Sequence, residues 1–298
     1  MTITSDWHIH SRNSCDEAAL KVSDLVTEAA AAGIADFGLT DHIHTPYNLP
    51  DLAASREEFL ACKPSQRFHF GVEVSCVSAW ELAEIARGGH DRPVYGLRQG
   101  GPAGAGPAIG ITEADLRTYG VEYVVGGTHW PLYVPFERRA IICDYHRQNL
   151  FLACHPLVDI VAHPWWWMGH WQDASGRYPA EPWFDDFGAI PQSMHDEFAA
   201  ALVGNGKVFE INLSAILLNR QYPARFARQY LDYIGNLRTR GVAFSIASDC
   251  HGEHYRIDFA TAAGMLDSVG ITDDGLWRLP PRQAARAPLA GERGTATP

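Results

Sequence analysis

The chain lacks any apolar run approaching the ~18–20 residues needed to cross a bilayer. Its opening residues, Met1-Thr2-Ile3-Thr4-Ser5-Asp6, hold neither a basic region nor the apolar stretch of a secretory signal. These absences predict a cytoplasmic protein with no membrane partner. Positive charge is also short: the formal net charge is −11, which argues against sequence-independent nucleic-acid binding, since that needs a basic face. It argues against an anionic substrate too, unless metal ions bound locally outweigh a distant negative field. CxxC spacing is absent. The six cysteines, Cys15, Cys62, Cys76, Cys143, Cys154 and Cys250, are scattered, and read as reduced, mostly buried thiols rather than a disulfide framework or a thiolate zinc site. No internal repeat occurs.

What is present is a 298-residue chain, 46% hydrophobic and 20% charged, the composition of a globular protein long enough for one barrel-sized core. Strand-like and helical stretches alternate. Residues 21–33 are Ala-rich and stop on a glycine, as a helix does. Residues 138–152, 194–204 and 225–240 read as further helices. Residues 35–42, 67–73, 121–129, 158–163, 207–212 and 242–248 read as strands. Residues 86–111 are rich in Gly and Pro and predict a loop or mobile insertion. Residues 165–191 predict an aromatic loop. A single domain over 1–279 is expected, followed by a disordered tail over 280–298. Alternation of this kind implies parallel strands with crossover helices, an α/β fold. Six or seven units favour a closed or nearly closed barrel over an open sheet.

The apolar runs end on ligand-type side chains: His42, Glu73, His129, His163 and the Asp249-x-His251 pair. His8-x-His10 holds the same place on a first, less apolar strand. Barrel enzymes build their sites at this C-terminal face, and residues i and i+2 on a strand point the same way. His8 and His10 can therefore clasp one ion, while Asp249 and His251 face one pocket. A lone histidine is more often a cap or a surface residue than a ligand. Ligand chemistry at six strand ends is not a set of independent accidents. The other eight of the fourteen histidines, His44, His69 and His254 among them, lie outside the pattern. Imidazole and carboxylate without thiolate suit Zn, Mn or Fe. Neighbouring ions would lower the pKa of a shared water and stabilise an oxyanion, which phosphate-ester hydrolysis requires.

Seven segments carry a family resemblance: His8-Ile9-His10 with Asp16, Thr40-Asp41-His42, Gly71-Val72-Glu73-Val74-Ser75, Gly127-Thr128-His129, Ala162-His163-Pro164, Glu210-Ile211-Asn212 and Ser248-Asp249-Cys250-His251. In order and spacing, over roughly residues 7–252, the chain resembles the PHP (polymerase and histidinol phosphatase) superfamily, and its histidinol-phosphatase-like branch most. The resemblance implies a distorted (β/α)7 barrel with two or three divalent transition-metal ions. His8, His10, Glu73 and Asp249 would hold the first; Glu73 would bridge to a second completed by His129 and His163. Asp16, His42 and His251 would hold the third. Some relatives carry histidine where Asp16 stands, and Glu17 is its neighbouring substitute.

Around this set, Glu73 and Asp249 are expected to act in catalysis. No spacing identifies the general acid; His254 is a candidate. Arg12, Trp130, Trp166 and Tyr255 are candidate substrate contacts, Arg12 for an anion and the tryptophans as a wall over an organic leaving group. Buried tryptophans are more often core, so residues 165–167 divide between wall and scaffold. Cys250 lies between two ligands and should face away from the metals. Glu210 and Asn212 face the site or order a loop. The expected function is hydrolysis of a small phosphorylated molecule, a phosphate monoester. The alternatives are a cyclic phosphodiester or a non-phosphate ester or amide on the same centre, and, less favoured, a non-catalytic module.

Overall fold

The computed structural model describes residues 1–65, 67–167, 183 and 186–280. In chain order its strands are β1 (Ser5–Asp6), β2 (Asp36–Leu39), β3 (His42–Ile43), β4 (Phe68–Ser78), β5 (Pro107–Ile109), β6 (Tyr123–Gly127), β7 (Ile160–Ala162), β8 (Val208–Asn212) and β9 (Ala243–Ala247). The helices are α1 (Val22–Ala31), α2 (Leu49–Ala61), α3 (Ala79–Arg87), α4 (Glu113–Tyr119), α5 (Arg138–Cys154), α6 (Gln192–Gly204), α7 (Ala224–Thr239) and α8 (Phe259–Asp267).

Seven strands pair in parallel in the order β1-β2-β4-β6-β7-β8-β9. The residues after β1 close the ring against the end of β9. Trp7 N–H donates to Ile246 O (3.0 Å), Asp249 N–H to His8 O (2.8 Å) and His10 N–H to Cys250 O (3.2 Å). The result is the distorted seven-stranded (β/α) barrel that the alternating pattern and the resemblance imply. Every residue of β6, β7 and β8 is buried, as expected of parallel strands covered by helices outside and filled within. The filling is tight. A Cβ on Gly38 would fall 1.8 Å from the Tyr123 hydroxyl, and one on Gly71 2.6 Å from its ring. Glycine at both positions lets one tyrosine plug the barrel.

Local chemistry sets the helix boundaries. Ser78 caps α3 by accepting from Glu81 N–H (3.0 Å). Thr112 and Asp115 form a capping box at α4, which stops on Gly120 in the left-handed region (φ 63°). The 86–111 stretch is not all loop: β5 pairs antiparallel with β4, with Ile109 opposite Cys76. This pairing ties the Gly/Pro-rich segment to the strand that carries Glu73. The tail expected to be disordered falls, from residue 281 on, outside the described residues, as do Gln66, residues 168–182 and 184–185 of the aromatic loop, Trp171 included.

At the opposite mouth of the barrel His69 joins three strands. Its Nε2 lies 3.2 Å from Asp36 and its Nδ1 3.1 Å from Glu122. Burial lowers the imidazole, but the two carboxylates outweigh it and hold the group up at about 9. A folded pKa above the ordinary value means that the stabilisation is full below about pH 6.5 and is lost as pH rises through about 9. The melting-temperature gap between wild type and His69→Gln should therefore be widest in mild acid and shrink on the alkaline side. A gap independent of pH would show that the ring acts by packing alone.

Candidate metal centre

Six of the barrel strands deliver their closing side chains to one point. His8 and His10 follow β1, His42 opens β3 just after β2, and Glu73 lies within β4. His129, His163 and Asp249 follow β6, β7 and β9. His163 and Asp249 leave their strands with left-handed backbone (φ 29° and 53°), a conformation that L-residues adopt at some energetic penalty and that concentrates at functional sites. Gly127 makes room: a Cβ there would fall 2.7 Å from Glu73 Oε1 and 2.8 Å from the His129 and His163 rings.

Glu73 is fully buried and splits its two oxygens between two sets of imidazoles. Oε1 lies 2.9 Å from His163 Nε2 and 3.2 Å from His129 Nε2. Oε2 lies 3.0 Å from His8 Nε2, 3.4 Å from His10 Nε2 and 2.8 Å from His42 Nδ1. Asp249 Oδ1 sits 3.6 Å from His8 Nε2 and 3.3 Å from His10 Nε2. A third group forms beside these, with Asp16 Oδ2 3.1 Å from His42 Nε2 and 2.5 Å from His251 Nε2.

These distances fit ligands around ions. With metal–ligand bonds of about 2.0–2.2 Å, the ligand atoms of one ion lie about 2.8–3.6 Å apart in octahedral or tetrahedral geometry. His8 Nε2 and His10 Nε2 approach to 2.9 Å, and with the His8 Nδ1 proton directed at Glu210 (2.7 Å) its Nε2 presents a lone pair. His42 Nδ1 and Glu73 Oε2 are 2.8 Å apart, yet both are buried without a hydrogen-bond partner, as are Asp16 Oδ1 and His163 Nδ1. For His42 Nδ1 and Glu73 Oε2, close approach without a hydrogen bond between them fits two donor atoms sharing a cation. Three sets could each hold an ion: His8, His10 and Asp249; His42, Glu73 and His129; and His10, Asp16, His42 and His251. His10 and His42 are shared between sets, a closer interlocking than the resemblance implies.

Electrostatics point the same way. Burial raises the Glu73 and Asp249 carboxyls, but the surrounding imidazoles, His8 foremost, outweigh it and hold both well below the usual carboxylate range. In turn burial lowers His42, and Glu73 and Asp16 lift it to about 10. For His129 burial wins, leaving it at about 4. The carboxylates thus draw positive charge to the buried floor of the cavity.

Further groups orient the ligands, as outer-shell partners do in metal sites. Glu210 Oε2 lies 2.7 Å from His8 Nδ1, and its Oε1 accepts from His163 N–H (2.9 Å) and Asn212 Nδ2 (2.8 Å). Asn212 Nδ2 also donates to Asp249 Oδ2 (3.0 Å). Both residues therefore face the centre. Asp41 accepts from Ser11 N–H and Oγ, each at 2.6 Å, and fixes the turn after His10.

The nine ligand candidates meet, but several substrate candidates do not. Arg12 pairs with Glu58 at the surface (2.6 Å). His254 is half exposed and lies 3.0 Å from Glu28. Tyr255 is buried and donates to Asp6 Oδ2 (2.6 Å) behind the closing seam. His251 still lines the cavity, but His254 and Tyr255 beyond it pack on Glu28 of α1, so nearness in sequence to the last ligands does not place them in it. Cys250 faces away as expected, its Sγ 3.5 Å from His254 O. Trp130 and Trp166 do line the cavity, which has a volume of about 450 Å³. Trp166 stands edge-on to His163 (5.0 Å) and His129 (6.0 Å). Trp165 and Trp167 are core, packed on Trp183 at 5.5 and 5.8 Å.

Three lining residues escaped the strand-end pattern: His44, Tyr95 and Arg98. His44 is stacked on His42 (4.5 Å). Ser75 Oγ bridges it to the centre, 2.5 Å from His44 Nδ1 and 2.8 Å from His129 Nδ1. Its signal was legible, since His42-Ile43-His44 repeats the spacing of His8 and His10. Tyr95 and Arg98 lie within the Gly/Pro-rich segment, where no periodicity marks a direction.

A closed parallel barrel carrying an imidazole–carboxylate cluster at one mouth defines a class of protein able to bind metal ions there. A model of the PHP domain matches residues 6–212, and the chain belongs to that family. Asp249 and His251 lie beyond the matched stretch, yet barrel closure brings them to the same centre. No curated protein matches the sequence. Among solved structures, a protein provisionally described as the histidinol phosphatase hisK of Listeria monocytogenes is similar over 86% of this chain and 99% of that one, with a TM-score of 0.52 and 12% identity. At that identity the likeness is one of fold. A chain of an archaeal ribonuclease P solved with mature tRNA covers 88% and 87%, with a TM-score of 0.41 and 10% identity, too low to add to it.

Proposed function

We propose that the chain hydrolyses small-molecule phosphate monoesters at this centre, with two or three divalent ions of Zn, Mn or Fe. The observation that carries the reading is Glu73, whose two oxygens serve separate sets of imidazoles 2.8–3.4 Å away. His8, His10, Glu73 and Asp249 would hold one ion, Glu73, His129 and His163 a second, and Asp16, His42 and His251 a third. Bound there, the ions would supply an activated water and Lewis acidity toward the ester oxygens. The chain's own residues fix that geometry: Glu210 and Asn212 orient His8 and Asp249, and Ser75 orients His129. Burial pulls His44 well below its ordinary pKa, so it enters the cavity wall as a neutral hydrogen-bonding ring. Trp130 and Trp166 shape the wall for the organic part.

Protein reconstituted with each metal should release phosphate from members of a panel of phosphorylated metabolites. Cleavage confined to cyclic phosphodiesters, carboxylic esters or amides, with no phosphate released from any monoester, would contradict the reading. The two kinds of tryptophan separate in the same assay. Trp166→Ala should lose roughly ten- to a hundredfold more on the best metabolite than on para-nitrophenyl phosphate, with little change in melting temperature. Trp167→Ala should destabilise by about 3–5 kcal/mol and depress both activities together. A Trp166→Ala protein that behaves like Trp167→Ala would make Trp166 scaffold.

A further inference from the structure

The Gly/Pro-rich segment between α3 and β5 carries Arg98 into the cavity. Among the described lining residues, Arg98 is the one Lys or Arg side chain. Its guanidinium lies 4.3 Å over the Trp130 ring and 5.3 Å from the Tyr95 ring, and its Nε donates to Tyr95 O (3.1 Å). The backbone is committed to this placement. Arg98 adopts a left-handed φ of 56°, where glycine would be the ordinary choice. Glu81, fully buried on α3, accepts from the N–H groups of Leu97 and of Arg98 (3.3 Å). Such an outlier at a cavity wall points from geometry to function. Trp130 stands between Arg98 and the metal centre, with its ring 5.6 Å from His129 and 5.4 Å from His44. Among the described residues, Glu81 is the carboxylate whose charge bears most on Arg98. The cavity of about 450 Å³ is far larger than a phosphoryl group and of a size that encloses a whole metabolite.

We propose that Arg98 is the specificity-determining residue of this site, and that the substrate is a phosphomonoester whose planar organic body carries a second oxyanion at the end remote from the cleaved ester. The phosphoryl group lies at the metal centre and the organic body runs along Trp130 and Tyr95. The second oxyanion meets the guanidinium, whose planar fork matches a carboxylate bidentately. This deepens the phosphoesterase reading and rests on it for the placement of the phosphoryl end.

Binding of two inert probes to metal-reconstituted protein tests the proposal by calorimetry: phenylphosphonate and 4-carboxyphenylphosphonate. Wild type should bind the carboxylated probe at least about tenfold more tightly. Arg98→Gly, which suits the left-handed backbone and so spares the fold, should reduce that preference to less than about threefold. Arg98→Lys, keeping the charge without the fork, should fall between. No preference in wild type, no binding of either probe, or an equal loss on both in Arg98→Gly would each overturn the proposal. Phosphate release from phenyl phosphate and 4-carboxyphenyl phosphate is followed in parallel. A probe preference that depends on Arg98, with neither ester cleaved, would defeat the phosphoesterase reading and leave the oxyanion contact standing.

Discussion

Replacing Glu73 by Gln should lower turnover by at least about a thousandfold, some 4 kcal/mol of barrier, while the protein still folds. The substitution is nearly isosteric, so packing around a fully buried side chain is kept. What changes is charge and denticity. Oε1 faces His129 and His163, while Oε2 faces His8, His10 and His42. An amide offers one acceptor oxygen and turns N–H groups toward the other set, so one group of imidazoles loses its carboxylate. Metal content should fall with activity, and circular dichroism should stay unchanged. Activity within about tenfold of wild type, only ~1.4 kcal/mol, would mean that Glu73 does not join the two sets.

Removing the ions should also destabilise the fold. Glu73 and Asp249 are held ionised in the barrel interior, and His8, His42 and His163 are as deeply buried. An ion that binds the folded state at about a thousand times its Kd stabilises by about 4 kcal/mol, and each kcal/mol is worth some 2–4 °C in a domain of roughly this size. Dialysis against a chelator should therefore lower the melting temperature by about 10 °C, and Zn, Mn or Fe should restore it. A shift below about 2 °C, with no response to added metal, would show that the cluster is stable on its own hydrogen bonds and ion pairs.

Much of the centre could be read from the chain because parallel barrel strands end at one rim. A ligand-type residue closing each apolar run therefore marks both the strand and its direction. The same rule hid His44, because only the last residue of the run was read although a second histidine stands two residues on, just after β3. Arg98 was hidden for a different reason: its direction comes from a left-handed backbone and from Glu81, a partner 17 residues away. His254 and Tyr255 misled because the chain beyond His251 packs on Glu28 of α1 rather than over the cavity. Helices α2, α3, α4 and α8 went unread. Helix α2 begins on a proline turn and α4 has no buried residue, so neither shows a clear apolar stripe. The tryptophan run divided by geometry, with Trp166 at the cavity and its neighbours in the core.

The central claim is that one chain holds more than one transition-metal ion, since nine imidazole and carboxylate groups converge and Glu73 serves two sets of them. Elemental analysis of protein purified without chelators, repeated after reconstitution, measures this directly. The account predicts two to three equivalents of Zn, Mn or Fe per chain, falling in Glu73→Gln. One equivalent or fewer, even after reconstitution with each metal in excess, would contradict it.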